Sequence, residues 1–233
     1  MKKLFLIIII LTSITTAYSQ EKKDRLKFNE IPGNFVFDIG LTHYRFSNGD
    51  MQLRTFASRG ANIYYTYDIN LIGENFSVAS GLGVGITNYS FANRNTLVYD
   101  SESKSAKMLD LADEYGNLRK SKLNANYIDI PLEFRWRSAN DVNSFKIVLG
   151  AKAGVLVSSH TKLKFKNEDG MQKEKHADDF ELNRFRYGVY GKIGYGVFHL
   201  FGYYSLSELF NEGKAPGGRS IVPYTLGISI SAF

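Results

Sequence analysis

The chain has 233 residues, a formal net charge of +6 at pH 7 and no cysteine. The absence of cysteine excludes a disulfide framework, a cysteine-ligated metal site and an acylated N-terminal cysteine. The mild basic excess comes without a basic-aromatic motif, so nucleic acid is not expected as a partner.

The N-terminus has the features of a secretory signal peptide. Lys2 and Lys3 precede an apolar run from Leu4 to Leu11, and the small residues Ala17 and Ser19 favour cleavage after Ser19. The run is too short for a spanning helix, and no later segment approaches the roughly 20 apolar residues that one needs. Strands must therefore make any membrane span. The expected divisions are a signal peptide at 1–19, a short periplasmic segment at 20–34 and a barrel domain at 35–233.

Alternating apolar and polar residues, bounded by turn residues, predict eight β-strands in the mature chain. The strands are expected at 35–46, 61–70, 76–92, 126–137, 145–165, 184–195, 198–207 and 223–233. The segment from Ala106 to Tyr115 is compatible with a short helix inside a loop. Long and short connections alternate strictly, beginning with a long one, so all the long ones fall at one end. Outer-membrane barrels show this sorting, with short periplasmic turns and long outer loops.

The segment from Tyr127 to Ser138 indicates where the two faces of the strands point. Its apolar face carries Ile128, Ile130, Leu132, Phe134 and Trp136, and its other face carries Asp129, Glu133, Arg135 and Arg137. Side chains alternate across a strand, and a membrane barrel places one face against lipid and the other against a polar lumen. The sequence therefore predicts an all-β fold, an eight-stranded antiparallel up-and-down transmembrane β-barrel in the bacterial outer membrane.

The polar face defines a candidate lumen that contains both signs of charge. The charged lumen residues are Asp38, Asp68, Asp129, Glu133, Arg135, Arg137, Lys152, Arg186 and Lys192, and Tyr64 and Tyr190 share their face. Charges in the narrow interior of an eight-stranded barrel need partners, so we expect an ion-pair network that fills the lumen. A secreted soluble barrel of the lipocalin kind, an outer-membrane lipid-modifying enzyme and a narrow pore remain as alternatives.

The sequence contains no convincing catalytic, cofactor-binding or metal-binding arrangement. Ser158 and His160 share a strand face near the outer end, but Ser159 and His160 point to opposite faces and cannot form a nucleophile-base pair directly. We therefore expect no enzymatic activity, no cofactor and no metal. The long loops are the expected place for specificity. The candidate contacts with lipopolysaccharide phosphates or a protein partner are Arg45, Arg119, Lys120 and Lys122.

Three stretches resemble the PorT-like outer-membrane β-barrel proteins of Bacteroidetes. They are N-Y-I-D-I-P-L-E-F-R-W at 126–136, the pair Y-G-V-Y-G-K-I-G-Y-G (187–196) and F-G-Y-Y-S-L-S-E-L-F (201–210), and V-P-Y-T-L-G-I-S-I-S-A-F at the C-terminus. The resemblance implies an eight-stranded outer-membrane barrel. A founding member is associated with protein secretion and gliding machinery, so it also suggests a link to secretion or envelope function.

The last strand, Tyr224 to Phe233, resembles the signal that the barrel-insertion machinery reads, which makes that machinery an expected partner. Thr225, Gly227, Ile228 and Ile230 fit the alternation. Phe233 is one position out of phase with the apolar residues, since the residue in phase is Ala232.

Overall fold

The computed structural model describes residues 33–45, 51–92, 95–111, 118–167, 170–178 and 180–233; the predicted signal peptide lies outside them. No helix within these ranges is long and apolar enough to cross a membrane. The strands are β1 (Asn34–Arg45), β2 (Arg59–Ile72), β3 (Phe76–Ser90), β4 (Asn95–Asp100), β5 (Ser105–Asp110), β6 (Leu118–Arg137), β7 (Phe145–Asn167), β8 (Gly170–His176), β9 (Phe185–Tyr195), β10 (Phe198–Ser205) and β11 (Val222–Ser231).

The strands form an antiparallel, up-and-down, barrel-like sheet. Nine of them follow the order β6-β3-β2-β1-β11-β10-β9-β7-β8, and β6 also pairs with β7. The first and last long strands are neighbours, because Asp38 on β1 lies opposite Ser229 on β11. Strands β4 and β5 form a separate two-stranded hairpin. Because antiparallel neighbours can be joined by short turns, such turns follow β2, β6 and β9. We call the end of the sheet that carries these turns the short-turn end.

The strands of the sheet other than β8 have a mainly apolar outer face and a mainly polar inner face. On β6 the side chain of Phe134 is 60% exposed, whereas its neighbours Glu133 and Arg135 are 1% and 2% exposed. Ile39 on β1 and Leu200 on β10 repeat the pattern with 63% and 69% exposure. This is the reverse of a soluble protein, because the apolar side chains lie outside and the charges inside.

Three strands occur where none was predicted, and one prediction was wrong. The short helix expected from Ala106 to Tyr115 is contradicted in its described part, since Ser105–Asp110 pairs with Asn95–Asp100 in the β4–β5 hairpin; residues 112–115 lie outside the described residues. Backbone groups of such a projecting segment are satisfied by pairing with a second strand. Strand β6 begins at Leu118 rather than at 126, because its first residues pair with the extended end of β7. Strand β8 adds a hairpin to that end.

The long connections pack together over the other end of the sheet. Each contributes buried apolar side chains to one cluster, which we call the apolar cap. Its members on the connections are Met51, Phe91, Leu97, Ala106, Phe180, Leu182, Leu209, Phe210, Ala215 and Ile221. We expected these connections to be solvated loops or contact sites. Their apolar side chains instead cover the mouth of the sheet, because burying them removes apolar surface from water.

Candidate functional site

Asp129 on β6 is the centre of the first buried ion cluster in the lumen. Its side chain is fully buried and accepts two hydrogen bonds from Arg186, at 2.9 Å from Nε and 2.5 Å from Nη2. The ammonium of Lys152 lies 3.5 Å from the same carboxylate, and Tyr64 donates to it at 3.2 Å. Lys152 also donates to the Tyr64 hydroxyl at 2.9 Å. One carboxylate therefore pairs with two buried cations.

Glu133, two inward positions further along β6, organises a second cluster. Arg135 Nε lies 2.6 Å from its Oε2, and the Tyr190 hydroxyl donates to its Oε1 at 2.8 Å. Lys192 is placed between two carboxylates, 3.3 Å from Glu133 and 3.2 Å from Asp38. These Lys192 contacts lack hydrogen-bond alignment and are purely ionic. Arg135 extends the cluster to Asp68, with Nη1 2.7 and 2.8 Å from its two oxygens.

Glycines on β7 allow these pairs to form across an intervening strand. Gly154 lies between Asp129 and Arg186 in the register, and Gly150 lies between Glu133 and Tyr190. A Cβ at position 154 would be 2.0 Å from Oδ1 of Asp129. A side chain at position 154 is therefore incompatible with the observed pairing. Because glycine has none, the side chains of β6 and β9 can reach each other across β7.

Eight of the nine predicted lumen charges join these two clusters, and Arg137 does not. Its Nε donates at 2.5 Å to the backbone carbonyl of Glu74 in a short turn. Arg137 is the last residue of β6 and is partly exposed, so the assignment of this residue to the network was wrong. Among the predicted loop contacts, Arg45 ends β1, and Arg119 falls at a register shift of β6.

The short-turn end of the lumen contains residues that were missing from the predicted site. The ring of Phe233 stacks on His199 with centroids 5.6 Å apart. It also lies under the guanidinium of Arg135 at 4.3 Å and the ammonium of Lys146 at 4.8 Å. Cations over aromatic faces are attracted by the ring quadrupole. The out-of-phase position of Phe233 was the available signal, because it places the ring on the same face as Ser229 and Ser231.

The apolar cap closes the opposite end of the lumen. Tyr44, Tyr89 and Tyr127 line the mouth of the sheet and pack against the cap. The space between the cap and the Asp129 cluster is a cavity of about 30 Å³, bordered by Arg186, Tyr203 and other inward side chains. A cavity of that size holds on the order of two water molecules and no organic substrate.

The charged side chains of the two clusters bind one another. No group of three His, Cys, Asp or Glu residues there is placed to hold a metal ion. The hydroxyl of Ser158 accepts a hydrogen bond from Asn126 at 2.8 Å on the outer face. The chemistry that this arrangement supports is therefore pairing of opposite charges inside a barrel-like sheet.

Comparisons with known proteins bear on the identity of this sheet. Residues 18–211 match the family model described as outer membrane protein beta-barrel domain. The crystal structure of Ail, the attachment invasion locus protein of Yersinia pestis, in complex with the heparin analogue sucrose octasulfate, is similar at 17% identity and TM-score 0.34, covering 86% of this chain and 99% of that chain. A triple mutant of the Rhodopseudomonas blastica porin is similar at 10% identity and a TM-score of 0.19, covering 85% of this chain and 99% of that chain. No curated protein matches. With TM-scores this low, the two structures add nothing to the family assignment.

Proposed function

Because the chain belongs to the outer membrane protein beta-barrel domain family and is an integral outer-membrane β-barrel protein, we propose that it acts as a structural or interaction barrel with a side-chain-filled lumen. Eight strands, β1, β2, β3, β6, β7, β9, β10 and β11, close around that lumen. Strand β8 and the β4–β5 hairpin stand outside the membrane. In this orientation the short-turn end is periplasmic and the apolar cap faces the exterior.

The proposal is supported by side-chain packing at three levels of the lumen. The apolar cap covers the outer mouth, the Asp129 and Glu133 clusters fill the middle, and the Phe233 ring covers the periplasmic end. A porin needs a continuous aqueous path, whereas a small barrel filled by paired side chains has none. An enzymatic role would need a substrate-sized cleft among reactive groups, and the lumen cavity is too small for one.

Planar-bilayer recording tests the closed lumen. The purified, refolded wild-type protein is expected to give no stable conductance, because every level of the lumen is occupied by its own side chains. Variants in which Glu133 or Arg135 is replaced are the informative comparison, since each removes one member of the central clusters. Silence of the wild type that persists until one of them is replaced supports the proposal. Stable, large conductance from the wild type overturns it.

The partners follow from this placement. Outer-membrane lipid and lipopolysaccharide surround the apolar outer face, and the barrel-insertion machinery engages the last strand, Tyr224 to Phe233. A protein partner at the long outer loops would give the barrel its biological role. The PorT-like motif at 126–136 supports a link to secretion or envelope assembly, and cross-linking through those loops would identify the partner.

A further inference from the structure

Six lysines form two cross-strand rows on the outer face of the sheet, beyond its apolar belt. In one row Lys122 on β6 lies opposite Lys162 on β7, which lies opposite Lys175 on β8. The other row is Lys120, Lys164 and Lys173 on the same strands. We call these six residues the basic ribbon. Residues directly opposite in antiparallel strands share a face, so all six ammonium groups project to the same side.

The basic ribbon has no counter-charge of its own in the part of the chain that the structure describes. No described carboxylate forms an ion pair with any of its six lysines. The acidic residue of β8, Glu174, lies opposite Leu163 on the other face, where it is 3.5 Å from His176. Among the described residues, the one side-chain hydrogen bond from the ribbon runs from Lys122 Nζ to the Asn88 amide oxygen at 3.1 Å.

Electrostatics make this arrangement unfavourable without an anion. Like charges directly opposite each other in a sheet are destabilising. Burial lowers the pKa of Lys122, and the charges of Lys162 and Lys120 lower it further. The pKa of His160, on the same face, is lowered by burial and by Lys175, Lys162 and Lys122. The outer face around the basic ribbon therefore has a strongly positive electrostatic potential.

The position of the basic ribbon indicates where an anion would come from. Along the outer face of β6, the exposed Ile128 is followed by Asn126 and Asn124 and then by Lys122. At a rise of about 3.3 Å per residue and a tilt of about 45°, Lys122 stands about 14 Å beyond Ile128. The lysines thus lie on the same outward-facing surface as the lipid-facing residues, further from the membrane centre. They are not at the loop tips.

We propose that the basic ribbon binds the phosphorylated saccharide headgroups of lipopolysaccharide in the outer leaflet. The inference rests on the proposed orientation, in which the cap faces the exterior. Two rows of three cations match an extended surface that carries several phosphates, and each ammonium acts as a point charge toward them. A soluble polyanion would approach the exposed loop tips, whereas a headgroup lies beside this face.

A binding assay with the folded, detergent-solubilised full-length mature protein tests the proposal. The probe is bisphosphorylated lipopolysaccharide at low ionic strength. The variant is Lys162→Gln/Lys164→Gln, which removes the middle lysine of each row. Each lysine near an anionic surface contributes about fivefold, so affinity should fall about thirtyfold. A second variant, Lys173→Gln/Lys175→Gln on β8, gives an independent reading should the first fail to fold.

The matched control is Lys104→Gln/Arg219→Gln, which removes the same charge from exposed sites outside the ribbon. It should bind as the wild type does. Without lipopolysaccharide, the ribbon variants should unfold at the same or higher denaturant than the wild type, because repulsion has been relieved. A purely structural role of these lysines would give the opposite shift.

Three outcomes would overturn the proposal. They are equal affinity of ribbon variant and wild type, undiminished binding of dephosphorylated lipopolysaccharide, and binding of free pyrophosphate as tight as that of lipopolysaccharide. The assay is independent of conductance, since the basic ribbon lies outside the lumen. A conducting wild-type protein would overturn the closed-lumen proposal and leave the binding result unchanged, so the two failures can be told apart.

Discussion

Replacing Asp129 by Asn should be the most damaging single change in the lumen. Asn keeps the shape of the side chain but leaves the buried cations Arg186 and Lys152 without a carboxylate, since no other described carboxylate pairs with either. Removing one partner of a buried ion pair costs about 3–5 kcal/mol of unfolding free energy. The upper part of that range is expected here because two cations lose their partner.

Asp68→Asn is the matched control, because the Asp68 side chain is 21% exposed and its partner Arg135 retains Glu133. A partly exposed pair contributes about 1 kcal/mol or less. Equilibrium unfolding by denaturant in lipid vesicles, followed by the fluorescence of the sole tryptophan, Trp136, measures both variants. The slope of unfolding free energy against denaturant should stay constant, so that midpoints report stability.

A double-mutant cycle with Arg186→Gln separates the ion pair from other effects. If the carboxylate and the guanidinium stabilise each other, the double variant loses less than the sum of the two single variants. The reasoning is refuted if Asp129→Asn is no more destabilising than Asp68→Asn, or if the cycle is additive within error.

Two further predictions concern a glycine and a loop carboxylate. Gly154→Ala should destabilise the fold by roughly 1–3 kcal/mol, because the new Cβ would collide with Asp129. Gly191→Ala on the outer face should be nearly neutral, since its Cβ would meet nothing closer than 3.8 Å; equal unfolding midpoints for the two variants would contradict this. A hydrogen bond from Lys107 lowers the pKa of Asp100 from its ordinary 3.8 to about 2. A depressed carboxyl pKa stabilises the β4–β5 hairpin above pH 4, and that stabilisation is lost as the pH falls from about 4 to about 2. Titration by NMR should find the Asp100 pKa returned toward its ordinary value in Lys107→Met, and an unchanged pKa would show that the hydrogen bond is not its cause.

The two faces of the sheet could be predicted from the sequence because they depend only on local alternation. The phase of residues 127–137 separates Phe134 from Glu133, and the structure exposes the first and buries the second. The same alternation predicts that Phe233 points inward, because it is out of phase with the outward-facing apolar residues of the last strand. Arg137 follows the rule but stands at a strand end, where a nearby backbone carbonyl satisfies it.

Partners within the lumen could not be predicted, because they depend on register between distant strands. Arg186 reaches Asp129 only since Gly154 lies between them on β7. The basic ribbon likewise depends on pairing between strands. Lys120 and Lys122 were singled out from their loop, but Lys173 and Lys175 join them only through the unpredicted strand β8. The β4–β5 hairpin could not be predicted, because its strands are too short to show a clear alternating pattern. Its buried side chains instead pack in the apolar cap.

The most direct test of the closed lumen and the lipid-facing outer face is thiol labelling of two neighbouring positions on β11. The chain has no native cysteine, and Ile228 is 54% exposed on the outer face whereas Ser229 is 0% exposed in the lumen. In lipid bilayers, Ile228→Cys should react with a lipid-soluble maleimide only. Ser229→Cys should react neither with that reagent nor with a water-soluble methanethiosulfonate until the protein is unfolded. Rapid labelling of folded Ser229→Cys by the water-soluble reagent would contradict the account, because it would require an open aqueous lumen.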